Sequence, residues 1–190
     1  MTPEQRRWVD RGHAQPHLLD WNRGGKTDLV LSNPLSWELL VGAGPLEGLP
    51  EIPVRAFSLP KLSDRNPYDF QFADWDGDGV FDVLFAGAYL NDDKTRWIYD
   101  LYWCRNLSSI GNPRFAPPVR LLNAPAQSEG WQYEGFAVMD RGKARDSDLV
   151  VSVSKNWKSS PTGSWTNDSR LVLFPRNAKL GAAPEAGRGQ

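Results

Sequence analysis

The chain is short of several things, and each shortage removes a class of protein. It has one cysteine, Cys104, among 190 residues. No intrachain disulfide can form, so a disulfide-stapled module is excluded. An excess of charge of either sign is missing: 22 basic side chains stand against 23 acidic ones. Such a balance gives no electrostatic footprint for nucleic acid. No apolar run reaches the length of a membrane span, and no basic amphipathic helix can be read, so membrane insertion is not expected. The opening "MTPEQRRWVDRGHAQPH" is polar and lacks the apolar core of a signal peptide. The two histidines, His13 and His17, fall in this segment and read as polar surface or turn residues. Long helical periodicity is also absent.

What the chain does have is punctuation and short apolar runs. It holds 17 glycines, 15 prolines and nine tryptophans. Runs such as "DLVLS", "DVLFAG", "DLVVSVS" and "RLVLF" alternate with Gly, Pro, Asn and Asp clusters. Short β-rich runs bounded by turn residues predict an all-β fold. The length suffices for one domain with a sizeable core.

The densest motif is "DWDGDGVFDVLFAG", Asp74 to Gly87. It repeats. "LLDWNRGGKTDLVLS" (Leu18 to Ser32) aligns with "FADWDGDGVFDVLFA" (Phe72 to Ala86) at an offset of 54 residues without a gap. Asp20, Trp21, Asn22, Gly25 and Asp28 then match Asp74, Trp75, Asp76, Gly79 and Asp82. A worn third copy is "VMDRGKARDSDLVVS", with Asp140 and Asp148 standing 66 residues after Asp74 and Asp82. Each copy is followed by a second strand: "WELLVG", "DLYWCRN" and "RLVLFPRN". "PVRAFSL" and "APPVRLL" supply a third strand after the first two. Units of this length with several antiparallel strands predict propeller blades at residues 13–66, 67–130 and 131–178. Residues 1–12 are expected to be an N-terminal strand or the remnant of a preceding blade, and 179–190 a flexible tail.

"DWDGDGVFDVLFAG", followed by "DLYWCRN" and "GNPRFAPPVRLL", resembles the FG-GAP or VCBS repeats of integrin-like β-propellers. The resemblance spans about residues 13 to 178. It implies a partial propeller of about three four-stranded antiparallel blades, and an extracellular or periplasmic setting. It also implies a calcium loop formed by Asp74, Asp76, Asp78, the backbone carbonyl of Val80, and Asp82.

The residues support that loop independently. Carboxylates at positions 1, 3 and 5 of a tight turn converge on one point, and Ca²⁺ takes six to eight oxygen ligands. Four carboxylates so close would repel one another without a cation. An EF-hand needs Glu at position 12 and a following helix. Here position 12 is Phe85, inside an apolar strand. In the first copy Asp20, Asn22 and Asp28 offer a weaker second site, because Gly24 replaces the third carboxylate. In the third copy, Lys143 and Arg145 either bridge Asp140 and Asp148 in place of a metal or lie in a solvated turn.

Trp21 and Trp75 share a repeat position and are expected to pack between blades. Trp97, Trp157 and Trp165, read as loop residues among Asn, Asp, Lys and Ser, are candidates for stacking on a sugar ring. "QSEGWQYEGF" (Gln127 to Phe136) reads as another rim loop. No paired catalytic constellation is present. Cys104 is expected to be buried and inert in a strand. The expected function is a non-catalytic, calcium-stabilised scaffold for a carbohydrate or protein ligand. The alternative is the propeller part of a secreted carbohydrate-active enzyme such as a polysaccharide lyase. Three blades fall short of a closed propeller, so further blades from a longer chain or a second protomer are expected.

Overall fold

The structure is a computed structural model that describes residues 14–33, 37–42, 54–90, 94, 97–108, 112–122, 132–140, 147–158 and 165–174. Among these residues there are eleven strands and no helix, and the fold is all-β. The first sheet joins β1 (Gln15–Leu19), β2 (Asp28–Asn33), β3 (Glu38–Gly42) and β4 (Val54–Ser58) in sequence order. The second joins β5 (Asn66–Ala73), β6 (Asp82–Leu90), β7 (Trp97–Cys104) and β8 (Val119–Leu122) in the same way. The third joins β9 (Gln132–Asp140), β10 (Ser147–Lys158) and β11 (Trp165–Phe174). Every pairing is antiparallel, and none of the three sheets closes on itself.

The sheets stack face to face, with the second in the middle. Side chains along a strand alternate between faces. On β6, Val83 and Phe85 enter one apolar cluster with Val30, Leu39 and Val41 of the first sheet. Leu84 and Ala86 enter a second cluster with Leu149, Val151 and Val153 of the third. A strand covered on both sides reads as an unbroken apolar run, which explains "DVLFAGA". Trp21 is buried in the first cluster and Trp75 in the second, so each fills the seam after its own motif, as expected. Trp37 joins the first cluster, and Trp103 packs against the second.

A bulge in β5 ties the second and third sheets together. The register shifts between Tyr68 and Phe70, and Asp69 between them adopts φ 53°. This left-handed conformation is tolerated by Asp better than by most residues. The carboxylate Oδ2 of Asp69 accepts from the Tyr133 hydroxyl at 2.9 Å and from the Phe136 N–H at 3.1 Å, both on β9.

Several expectations change. Gln132 to Phe136 are part of β9, not a rim loop. Trp157 and Trp165 lie in β10 and β11 rather than in loops, and Trp97 begins β7. His17 lies on β1 and is half-buried, edge-on to Phe72 at 4.8 Å. One of its ring nitrogens is 3.1 Å from Ser32 Oγ, and burial holds its pKa below the usual value. Cys104 is buried as expected, and burial pushes its thiol up to about 12. The 1–12 strand, the 179–190 tail and the Lys143 and Arg145 bridge lie outside the described residues.

Candidate metal centre

The acidic motif forms the connection from β5 to β6. Gly77 and Gly79 hold φ 75° and 90°, left-handed values at which a side chain would be strained. They turn the chain so that one carboxylate oxygen each from Asp74, Asp76 and Asp78 falls within 4.8 Å of the others. The curl is fixed by the loop itself. Gly79 N–H donates to Asp74 Oδ2 at 3.0 Å, Asp78 N–H to Asp76 Oδ1 at 3.3 Å, and Val80 N–H to Asp78 Oδ1 at 3.0 Å.

Asp82 stands at the start of β6, wholly buried. Its Oδ1 accepts from the Asn106 N–H at 2.7 Å. Burial is the main cause that raises its pKa, to about 6, and the charges of Asp76 and Asp78 add to the rise. The Trp103 indole N–H favours the charged form but is not aligned as a donor. Asp74 Oδ1 and Asp82 Oδ2 are thus shielded from solvent and accept no hydrogen bond, whereas the equally shielded Asp76 Oδ2 meets Arg105 Nε in an ion pair. Buried carboxylate oxygens are rarely left so, because desolvation without a partner is costly.

Two guanidinium groups approach the cluster. Arg105, just after β7, pairs with Asp76 through Nε and with Asp78 Oδ2 at 3.3 Å through Nη2. Arg23, from the first motif, lies 3.9 Å from Asp74 Oδ2 and donates to the Gly79 carbonyl at 3.2 Å. Its guanidinium also sits 4.3 Å from the centre of the Phe81 ring. The first two motif loops therefore meet at one end of the stack. Neither arginine was singled out from the sequence. The signal for Arg105 was the shared ending of "DLYWCRN" and "RLVLFPRN". Asn106 belongs to the same signal: it is buried, and its Nδ2 donates to the Phe81 carbonyl at 3.2 Å.

The loop of the first motif has the same shape and a different filling. Arg23 (φ 55°) and Gly25 (φ 78°) are left-handed where Gly77 and Gly79 are. Gly25 N–H donates to Asp20 Oδ2 at 2.9 Å, as Gly79 does to Asp74. Here, however, Gly24 N–H also donates to Asp20 Oδ1, at 2.8 Å. Both oxygens of Asp20 are occupied by the backbone, and Asp28 accepts from the Asn22 N–H at 3.2 Å. Asp20, Asn22 and Asp28 are brought together, yet their oxygens are already engaged. Asp148 is buried at the start of β10, in line with Asp28 and Asp82.

The other candidates lie elsewhere. Trp97 is 47% exposed at the end of the central sheet away from the acidic loop. There it pairs with Leu90, and on the same sheet the half-exposed Tyr68 lies 6.0 Å from the Tyr99 ring. Trp157 and Trp165 come close along the β10–β11 ladder, where Lys158 pairs with Trp165.

An all-oxygen, all-acidic donor set suits a hard cation and not a soft transition metal. The loop is the one group of three or more potential metal-ligating side chains found among the described residues. Comparison with family profiles, with curated proteins and with solved structures finds no match to this chain.

Proposed function

We propose that this chain is a calcium-stabilised segment of a β-propeller of the FG-GAP or VCBS type, acting as a non-catalytic binding scaffold. The observation that carries the reading is the convergence of one carboxylate oxygen each from Asp74, Asp76 and Asp78 within 4.8 Å of one another. A cation at their focus would offset the repulsion among the three acids and compete with Arg105 for Asp76 and Asp78. The Val80 carbonyl and Asp82, directly or through a water, would complete an oxygen shell. Ca²⁺ fits better than Mg²⁺, which keeps its waters and a strict octahedron. The ion's task is structural: it pins the β5–β6 connection and so the angle between neighbouring sheets.

Two further observations support the propeller reading. Positions 54 residues apart share a left-handed backbone in the first two loops, and each four-stranded sheet is a simple antiparallel meander. A ligand would meet the end of the stack opposite the metal loop. Trp97 and Tyr68 are exposed there on one face of the central sheet, with Tyr99 stacked on Tyr133 at 4.8 Å behind them. Flat aromatic surfaces of this kind suit the apolar face of a sugar ring.

Calorimetric titration of chelator-stripped protein with Ca²⁺ tests the proposal. One site per chain is expected, abolished by Asp76→Ala. Absence of binding by a folded wild type would overturn the calcium assignment.

A further inference from the structure

The stack has two end faces, and the interior shows what belongs on each. The first sheet turns the Val30 side of its second strand toward the central sheet, which receives it with the Val83 side of β6. The central sheet then presents the Leu84 side of β6, and the third sheet receives it with the Leu149 side of β10. The two seams therefore have the same sense. Each sheet gives the even-numbered side of its second strand and receives on the odd-numbered side.

This rule leaves one giving face and one receiving face without a neighbour among the described residues. The giving face is on the third sheet. Val150 pairs with Leu173, and Ser152 with Leu171, on the side turned away from the central sheet. Leu171 is 75% exposed, and Leu173 and Met139 are exposed beside it. The receiving face is on the first sheet, where Leu29 and Leu31 of β2 point away from the central sheet. Leu18, paired with Leu29, is 63% exposed there. Large apolar side chains grouped on an open sheet face mark an interaction surface.

We propose that the third-sheet face of one copy receives the first-sheet face of a second copy, and that two such contacts close a ring. The occupant follows from continuity with the two internal seams. A face of the Val30 and Leu84 kind is covered, twice, by a face of the Val83 and Leu149 kind. A second copy supplies the required face at its own first sheet. The contact joins unlike surfaces, so copies add head to tail, and such contacts form rings when the rotation closes. Two copies bring six sheets, within the four to eight blades at which propellers close, whereas three copies would exceed it. The inference rests on the propeller reading and names its partner; it does not depend on the metal.

Sedimentation velocity on the full chain, with Leu18→Glu and Leu171→Glu variants, tests it. Both positions are largely exposed, so the variants should fold, and circular dichroism checks that they do. Wild type is expected to be a dimer at about 10 µM, with each variant weakening association at least about tenfold. An equimolar mixture of the two variants should recover a dimer, because one unmodified pair of faces remains between them. A wild-type monomer at about 100 µM would overturn the proposal and leave these faces to another protein. Loss of the dimer in Leu171→Glu alone would overturn it in favour of like-to-like pairing. An open series of larger species would overturn ring closure. The calcium titration on the same samples separates the two readings. A monomer that binds one Ca²⁺ overturns only the pairing, and a dimer that binds none overturns only the metal loop.

Discussion

At the scale of single residues, the acidic loop is a contest between cations. Arg105 pairs with Asp76 and Asp78, the same carboxylates an incoming ion would need. Its side chain is half-exposed, so it can swing into water when the ion arrives. Removing a positive charge from beside a cation site strengthens the site. Arg105→Ala is therefore expected to bind Ca²⁺ more tightly by roughly tenfold, read by calorimetry; weaker binding would mean that the arginine holds the loop open for the ion. Asp82 adds a dependence on pH. Its folded-state pKa of about 6 lies above the ordinary 3.8, so the folded protein holds this proton more tightly than the unfolded chain. Its stabilising share is complete below about pH 4 and is lost as pH rises through about 6. In chelator, the loss by pH 7 should approach about 3 kcal/mol, at 1.36 kcal/mol per pKa unit. Urea denaturation of wild type and Asp82→Asn checks this, because the difference between their slopes isolates the one carboxyl. With saturating Ca²⁺ the wild-type slope should flatten or reverse, since the ion requires the charged form. Asp74, Asp76, Asp78 and Asp82 were legible as a group because their spacing is local. The arginines were not, because Arg105 reaches the loop through strand pairing and Arg23 through a seam 56 residues away in sequence from Gly79.

At the scale of elements, the strands that alternate cleanly or run apolar without break were the legible ones. "DVLFAG" could be read as a strand, and its length without polar interruption reflects cover on both faces. β1 and β9 were hidden for a physical reason. "QPHLL" and "QYEGFAVMD" carry Pro, Gly and polar residues that ordinarily signal turns, and only their neighbours make them strands. Asp69 was hidden for another. "YDFQF" is an ordinary alternating run, and nothing local announces that the chain bulges at its second residue. Yet Asp69 holds two donors of β9. Asp69→Ala would leave the part-buried Tyr133 hydroxyl and the Phe136 N–H without that acceptor. A loss of roughly 3 kcal/mol in urea denaturation is expected, with Asp69→Asn retaining part of it. A change below about 0.5 kcal/mol would show that the clamp is dispensable.

At the scale of the molecule, one sheet is enclosed and two are enclosing. Among the described residues the central sheet has apolar neighbours on both faces, while the first and third each have one face without a neighbouring sheet. Amides of Leu84, Phe85 and Ala86 should therefore exchange hydrogen only through global unfolding, and those of β1 and β11 through cheaper local opening. Exchange read residue by residue checks this, and equal protection in all three sheets would contradict it. The three-sheet count was legible from the repeated motif, but which face met which was not. Facing depends on the parity of residues along each strand, and a sequence shows parity without showing its direction. That shared sense of the two seams has a mechanical consequence. A stack whose ends differ has polarity, and every added unit exposes the same end again. The angle between successive sheets then acts as the pitch of a screw. At one pitch the ends meet and growth terminates; at a slightly different pitch they pass each other and a filament grows without limit. Side chains that set this angle, Asp69 among them, would decide between a discrete particle and a fibre without touching the surfaces that join.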